Sequence, residues 1–347
     1  MLKDKPIIAV DAMGGDFGPS VVVPGAVDAA RYTDTEVILV GDEDQIRAEL
    51  RKMAADAPKV RIVHCTQVAG MKDKPSDVLR RKKDSSIHVA CQLVRDGEAD
   101  GLISAGNSGA TVACGMFILG RIPGVERPAL ASIIRVHGLP TVLVDVGANV
   151  DCRPFHLFQF GLMADVMTKD ILQIKKPRIG ILSIGEEEGK GNIQVKEAFE
   201  LFKLSNVNFI GNIEGRDIYT DIVDIVVCDG FVGNVALKLS EGLAQSLVRA
   251  FKSILQEGFL AKAATLLIRK SLKNFVKDLD YAEYGGAPLL GLQGAVLVCH
   301  GASSKRAIGN AVRTTATSVR MDTNKHLVDE LTANEELTRF ARASGRE

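Results

Sequence analysis

The chain alternates between short apolar runs and stretches in which apolar residues recur every three or four positions. Runs at Ile7–Val10, Val37–Val40, Val60–Val63, Gly101–Ser104, Leu130–Ile134, Thr141–Val144, Arg178–Ser183, Val207–Ile210, Ile222–Cys228 and Gly294–Cys299 are rich in Val and Ile, and most lack polar alternation. Strands covered on both faces have this character, and they build parallel sheets between helices. The patterns between them predict helices over Pro24–Arg31, Glu43–Ala55, Ser86–Asp96, Ser108–Leu119, His156–Leu172, Gln194–Phe202, Asn234–Gln256 and Ser303–Val319. This alternation predicts a three-layer α/β/α fold with a largely parallel sheet. No repeat, low-complexity tract or Pro/Gly/Ser linker breaks the pattern, so a single α/β domain over residues 1–347 is expected. Residues 240–280 stand apart as a protruding helical arm without a strand, and Thr323–Glu347 reads as a polar helix or a frayed tail.

Composition narrows the function classes. Apolar residues make up 46% and charged residues 25% of 347, a globular balance. Lys plus Arg equals Asp plus Glu, 43 against 43, and there is no Trp. Neither net charge nor stacking surface therefore favours nucleic acid. The six cysteines, Cys65, Cys91, Cys114, Cys152, Cys228 and Cys299, form no C-x-x-C pair. They read as buried thiols in a reducing cytoplasm rather than as a zinc site or a disulfide framework. The first residues lack a signal-peptide apolar core, and no apolar run approaches the roughly eighteen residues of a spanning helix.

Ligands of parallel sheets bind outside the carboxyl ends of the strands. Six predicted strands end in loops rich in Gly, Asn, Asp or Ser: Asp11–Asp16, Ser104–Ala110, Asp145–Asn149, Gly185–Gly191, Asp229–Asn234 and His300–Ser304. Glycine lets backbone N–H groups approach an anion closely, and a helix starting there adds unpaired donors and the positive end of its dipole. The strand–turn–helix sequence at Ser104–Ala110 fits this best. Any one such loop also reads as ordinary turn chemistry, whereas six together point to an anion-handling crevice. There is no G-x-G-x-x-G after the first strand, no G-x-x-x-x-G-K-[ST] and no G-x-S-x-G. A dinucleotide site, a P-loop and a serine-hydrolase elbow thus lack their usual signals, and no cofactor is expected.

The blocks Ala9–Asp16, Ser104–Ala110, Asp145–Asn149, Ile184–Glu187, Gly211–Asp217, Cys228–Asn234, Tyr284–Gly291 and His300–Asn310 resemble, in order, the bacterial acyl-[acyl carrier protein]:phosphate acyltransferases. Ser108 stands where that family more often has Thr. The resemblance implies a fold like that of phosphotransacetylases and isocitrate-type dehydrogenases. It implies transfer of a long-chain fatty acyl group from acyl carrier protein to inorganic phosphate, giving acyl phosphate for phospholipid synthesis. It also implies a homodimer at the inner face of the cell membrane, with a membrane glycerol-3-phosphate acyltransferase as partner.

Phosphate is already anionic near neutral pH, and a thiol with pKa near ~8.5 leaves readily, so such a site needs positioning and oxyanion donors more than a strong base or acid. Ser104, Asn107, Ser108 and Gly109 are the candidates to hold phosphate, beside Gly14, Gly15 and Gly301. Lys190 is the candidate cation, although a lysine beside three glutamates also reads as simply solvated. Asn149, Asn234, His300 and Ser303 are expected to line the crevice or donate to the carbonyl oxygen, and His300 equally suits a core histidine. Asp11 and Asp229 either orient the lysine or cap helices. Glu186–Glu188 have no His or Asp at ligand spacing, so no metal is expected.

From Arg249 to Lys277 the chain carries seven Lys or Arg and one acid, Glu257. Ile268, Leu272, Phe275, Val276 and Leu279 share one helical face, away from Arg269, Lys270, Lys273 and Lys277. Leu260, Leu266 and Leu267 add apolar residues near Gly258. Such a segment suits an anionic membrane surface, an acidic protein partner, or a dimer interface. Three other functions stay open: a short-chain acyl-CoA phosphotransferase, an isocitrate-type dehydrogenase and a non-catalytic peripheral membrane scaffold.

Overall fold

Val and Ile favour extended backbone because their branched side chains fit a pleated, covered surface. The computed structural model describes residues 4–53, 60–136, 139–256 and 284–337. In chain order its strands are β1 (Ile7–Asp11), β2 (Glu36–Gly41), β3 (Val60–His64), β4 (Gly101–Ser104), β5 (Ala129–Val136), β6 (Leu139–Val144), β7 (Ile179–Leu182), β8 (Phe209–Ile213), β9 (Ile225–Val227), β10 (Ala287–Leu290) and β11 (Ala295–Val298). The helices are α1 (Pro19–Tyr32), α2 (Glu43–Lys52), α3 (Pro75–Arg81), α4 (Ser86–Arg95), α5 (Ser108–Cys114), α6 (Pro154–Ile171), α7 (Ile193–Leu204), α8 (Gly230–Gln256), α9 (Lys305–Arg320) and α10 (Thr323–Ala333).

Among the described residues the strands form one eleven-stranded sheet in the order β3-β2-β1-β4-β11-β10-β5-β6-β9-β7-β8. It consists of two parallel blocks running in opposite directions. β3-β2-β1-β4-β11 is one block and β6-β9-β7-β8 the other. The central strands β10 and β5 make antiparallel pairs with each other and with the flanking blocks. Their register decides where the blocks end. Leu297 pairs with Pro288, Leu289 with Leu130, and Ala131 with Val144. Val144 at the end of β6 is therefore level with Leu297 and Ile103, one residue short of the ends of β11 and β4, and the carboxyl ends of both blocks meet across the central strands.

Alternate residues of each strand feed different cores, as the two-residue period of a strand requires. Ile8 and Val10 join α1 and α9 on one face, while Ala9 joins α4 and α5 on the other. On the other side of the seam, β5 and the second-block strands β6, β7 and β9 bury alternate residues against α6 and α7, and Leu143 and Val226 face the start of α8. α6 is buried nearly all round, as the apolar character of its full circumference demands. Each fully buried large side chain here, Phe158 or Leu102 for example, contributes roughly 1.5–3 kcal/mol.

The sheet departs from the expected one at its seam. β10 is four residues long, contains Pro288 and follows Gly285 and Gly286, so nothing local marks it as a strand. α3 likewise lacks a stripe, since Val78 is its one buried residue. β8 begins two residues later than expected, and the helix over Ser108–Leu119 changes at Gly115 from α to a π turn. Of the expected arm, α8 is described as far as Gln256. Leu260, Leu266, Leu267, Arg269, Lys270, Lys273 and Lys277 lie outside the described residues. No helix among the described residues is long and apolar enough to cross a membrane.

Candidate active site

The loops after β1, β4 and β11 are locked into one another. Asp11 Oδ2 accepts a hydrogen bond from Ser104 Oγ at 2.6 Å, and its Oδ1 accepts the Met13 N–H at 3.3 Å. Burial pushes the Asp11 carboxyl above its ordinary value, opposed by hydrogen bonds from Ser104, Ser86, Met13 and Gly14. A Cβ on Gly14 would stand 2.6 Å from the Gly106 nitrogen, and one on Gly15 3.0 Å from the Gly301 carbonyl oxygen. Asp16 N–H donates to that same carbonyl at 2.8 Å. Asp11, Gly14, Gly15, Ser104 and Gly301 are thus brought together as a tight joint beneath the strand ends.

Asn107 also holds the scaffold. Its Oδ1 caps α5 by accepting the Ala110 N–H at 3.0 Å, while Nδ2 donates to the carbonyls of Gly70, Met71 and Asp73 at 3.3, 3.1 and 2.9 Å. Ser108 and Gly109, the next residues, are exposed. Among the described residues neither of their N–H groups has an acceptor.

A second joint closes the other block. Asp145 is fully buried; its Oδ1 accepts the N–H groups of Leu130, Gly147 and Ala148 at 2.9, 3.3 and 3.1 Å. Its Oδ2 accepts the Asn149 N–H at 2.6 Å and Asn149 Nδ2 at 2.9 Å, and Nδ2 also donates to the Pro128 carbonyl at 2.7 Å. Burial again drives this carboxyl up. Asp229 caps α8, with Oδ1 accepting the Val232 N–H at 2.9 Å. A Cβ on Gly233 would overlap the Asp145 carbonyl oxygen at 1.9 Å, so the first turn of α8 is pressed against the end of β6. The side chain of Asn149 is therefore turned into the loop, and Asp229 serves as a helix cap. Ser303 is buried, and its N–H donates to the His300 carbonyl at 2.9 Å.

Between the joints lies a cleft of about 250 Å³. Ser108, Gly147, Asn234, Lys238, Glu241 and His300 give its polar lining, over an apolar floor that includes Leu130, Ile133, Val146, Leu237 and Val298. Lys238 Nζ donates to Glu241 Oε2 at 2.9 Å, which holds the ammonium in place. The Ala302 N–H donates to His300 Nδ1 at 3.1 Å, so the neutral ring carries its hydrogen on Nε2 and is a donor there. Cys299 also borders the cleft, but burial pushes its thiol up to about 12 and leaves no thiolate near neutral pH. Among the described residues no three His, Cys, Asp or Glu side chains stand together as a metal site.

The structure thus gathers three of the sequence candidates, Ser108, Asn234 and His300, on one surface. Lys190 is exposed in the loop after β7 and does not line the cleft. Sequence reasoning passed over Lys238, Glu241 and Gly147. Asn234, Lys238 and Glu241 follow the i, i+4, i+7 spacing of one helix face, a signal that could have linked the cation to the expected amide.

A family model described as "Fatty acid synthesis protein" matches residues 7–326. Phosphate acyltransferases of Nitratidesulfovibrio vulgaris (strain DP4) and Lawsonia intracellularis are 63% and 58% identical to the chain, each over 98% of it and 99% of the relative. The fold is similar to a phosphotransacetylase from Streptococcus pyogenes, with TM-score 0.64 and 18% identity over 92% of this chain and 95% of that one. EutD phosphotransacetylase from Staphylococcus aureus gives TM-score 0.62 and 16% identity over 92% and 96%. The solved structures share the three-layer α/β/α architecture, and the sequence relatives and the family model go further: the chain belongs to the phosphate acyltransferase family of fatty acid synthesis proteins.

Proposed function

We propose that this acyltransferase takes a long-chain fatty acyl group from its thioester with acyl carrier protein and gives it to inorganic phosphate. Acyl transfer to phosphate for phospholipid synthesis is the activity of the family; the carrier thioester as donor is the finer part of the reading. The observation that carries it is the cleft, where Ser108, Asn234, Lys238 and His300 face one space with no activated nucleophile among them.

A phosphate oxygen forms a bond to the thioester carbonyl carbon, and the carbonyl electrons move onto oxygen. Collapse of that oxyanion breaks the C–S bond and releases the carrier thiolate, which takes a proton from solvent. Ser108 and the open N–H groups of Ser108 and Gly109 hold phosphate with the Lys238 charge beside them. Asn234 and His300 Nε2–H donate to the oxyanion, the position where fixed donors contribute most. Asp11, Gly14, Gly15, Ser104, Asn107, Asn149, Asp229, Gly301 and Ser303 hold these groups in register, and Lys190 stands outside. The apolar floor suits the first carbons of an acyl chain.

Residues 1–347 are read as one domain, supported by the continuous sheet. A homodimer with peripheral contact at the inner face of the cell membrane is part of the same proposal. Its support is α8, where Phe231, Val235, Leu239, Leu243, Leu247 and Phe251 recur every fourth position and are all exposed. There the product would pass to a membrane glycerol-3-phosphate acyltransferase.

The test is thiol release from palmitoyl-acyl carrier protein with and without phosphate, with hydroxylamine trapping of the product. Phosphate-dependent release with a trappable acyl phosphate is expected. Release at the same rate without phosphate would leave a thioesterase, and no release would leave the scaffold reading.

A further inference from the structure

A strip of positive charge borders the cleft. Between Met71 and Asp84 the chain carries Lys72, Lys74, Arg80, Arg81, Lys82 and Lys83 against Asp73, Asp77 and Asp84. All three acids are engaged. Asp73 Oδ2 accepts Lys82 Nζ at 2.6 Å and the Gly70 N–H at 2.7 Å. Asp84 Oδ2 accepts the Thr66 hydroxyl at 2.5 Å and its N–H at 2.7 Å. Asp77 lies 3.7 Å from Arg81. Lys72, Lys74, Arg80 and Lys83 are exposed, and among the described residues no acid pairs with them. In a chain whose charges balance at 43 against 43, this is a local concentration.

The strip is fastened to both loops that supply the near wall of the cleft. Asn107, beside Ser108, holds the carbonyls of Gly70, Met71 and Asp73. A Cβ on Gly109 would lie 2.9 Å from Pro75 Cγ at the start of α3, and one on Gly301, beside His300, 3.2 Å from Met71 Cε. None of the cations lines the cleft itself, so they do not hold the phosphate that reacts there. They stand on the segment that Asn107, Gly109 and Gly301 hold beside Ser108 and His300, next to the cleft wall.

We infer that Lys72, Lys74, Arg80 and Lys83 form the docking surface for an acidic carrier protein that presents the acyl thioester to the cleft. The inference rests on the thioester reading above. A protein partner fits better than a bilayer. Met71 is the strip's one exposed large apolar residue, whereas a helix lying in a bilayer surface buries an apolar face beside its charges. Spread charges of one sign act chiefly by steering an oppositely charged partner and fixing its register.

The test uses the full chain with Lys72→Glu, Lys74→Glu, Arg80→Glu and Lys83→Glu combined. Turnover is measured with palmitoyl-acyl carrier protein and with palmitoyl-coenzyme A, and unacylated carrier protein is titrated for binding. The expected result is a rise of about tenfold or more in KM and Kd for the carrier protein with kcat retained, while palmitoyl-coenzyme A values stay within about twofold. The wild-type KM for the carrier protein is also expected to rise with salt. Should the combined variant fold poorly, Lys72→Glu and Lys83→Glu singly, both outside α3, carry the same comparison. Unchanged carrier binding would overturn the inference, as would an equal rise for both thioesters, which would assign the strip to coenzyme phosphates. Loss of binding to phosphatidylglycerol vesicles with unchanged carrier KM would assign it to the membrane instead. If the wild type binds the carrier protein through the strip but turns over neither thioester, the reaction reading fails while the docking surface stands.

Discussion

Ser104 Oγ donates to Asp11 Oδ2 across 2.6 Å, joining the ends of two adjacent parallel strands inside the protein. Removing the hydroxyl with Ser104→Ala leaves a buried carboxylate one donor short, at a cost of about 1–3 kcal/mol. Chemical denaturation is expected to show that loss. Activity should fall with it, because the loop carrying Ser108 begins at this joint.

The same carboxyl gives a pH signature. Burial raises the folded-state pKa of Asp11 above its unfolded value, so across that window the folded protein binds more protons. Its contribution to stability is therefore present below the unfolded pKa and is lost as pH rises through the folded one. Asp11→Asn should flatten this decline relative to the wild type in denaturation midpoints measured from acid to neutral pH. Parallel curves would mean that Asp11 titrates as it does in the unfolded chain.

Lys238 rather than Lys190 is expected to supply the cation. Lys238→Met should lower kcat/KM for phosphate by about 10²-fold, the scale of one lost oxyanion or phosphate donor. Lys190→Ala should stay within about threefold, since an exposed lysine off the cleft makes no transition-state contact. The reverse ranking would move the reacting phosphate to the loop after β7.

Cys299→Ala should keep activity within a few-fold of wild type, because a thiol held up to about 12 is not a nucleophile at neutral pH. A loss of several orders of magnitude, or an acyl group trapped on Cys299, would replace direct attack by phosphate with a covalent route.

Gly233→Ala tests how α8 is seated. Its methyl would meet the Asp145 carbonyl at 1.9 Å, so the helix must lift from the end of β6. Overpacking of this kind costs about 1–3 kcal/mol. The shift should also weaken phosphate use, because Asn234 and Lys238 move with the helix.

The sequence alone determined the class of fold and most of its elements. Unbroken Val and Ile runs such as Val37–Val40 have one stable solution, a strand covered on both faces. The glycine loops at strand ends and their family pattern are equally local, so the sequence by itself carries the likeness to the phosphate acyltransferases. What stayed hidden had no local cause. β10 owes its strand conformation to partners far along the chain, because Ala287–Leu290 has neither the length nor the residues to specify one. That strand and β5 reverse the sheet, and their register sets the two sets of carboxyl ends level with each other. Only this tertiary arrangement decides that Ser108 and His300 face Asn234 and Lys238, and that Asn107 and Asn149 are used up as clamps. A side chain's type fixes which hydrogen bonds it can make, whereas which ones it does make depends on what the rest of the chain brings within about 3 Å.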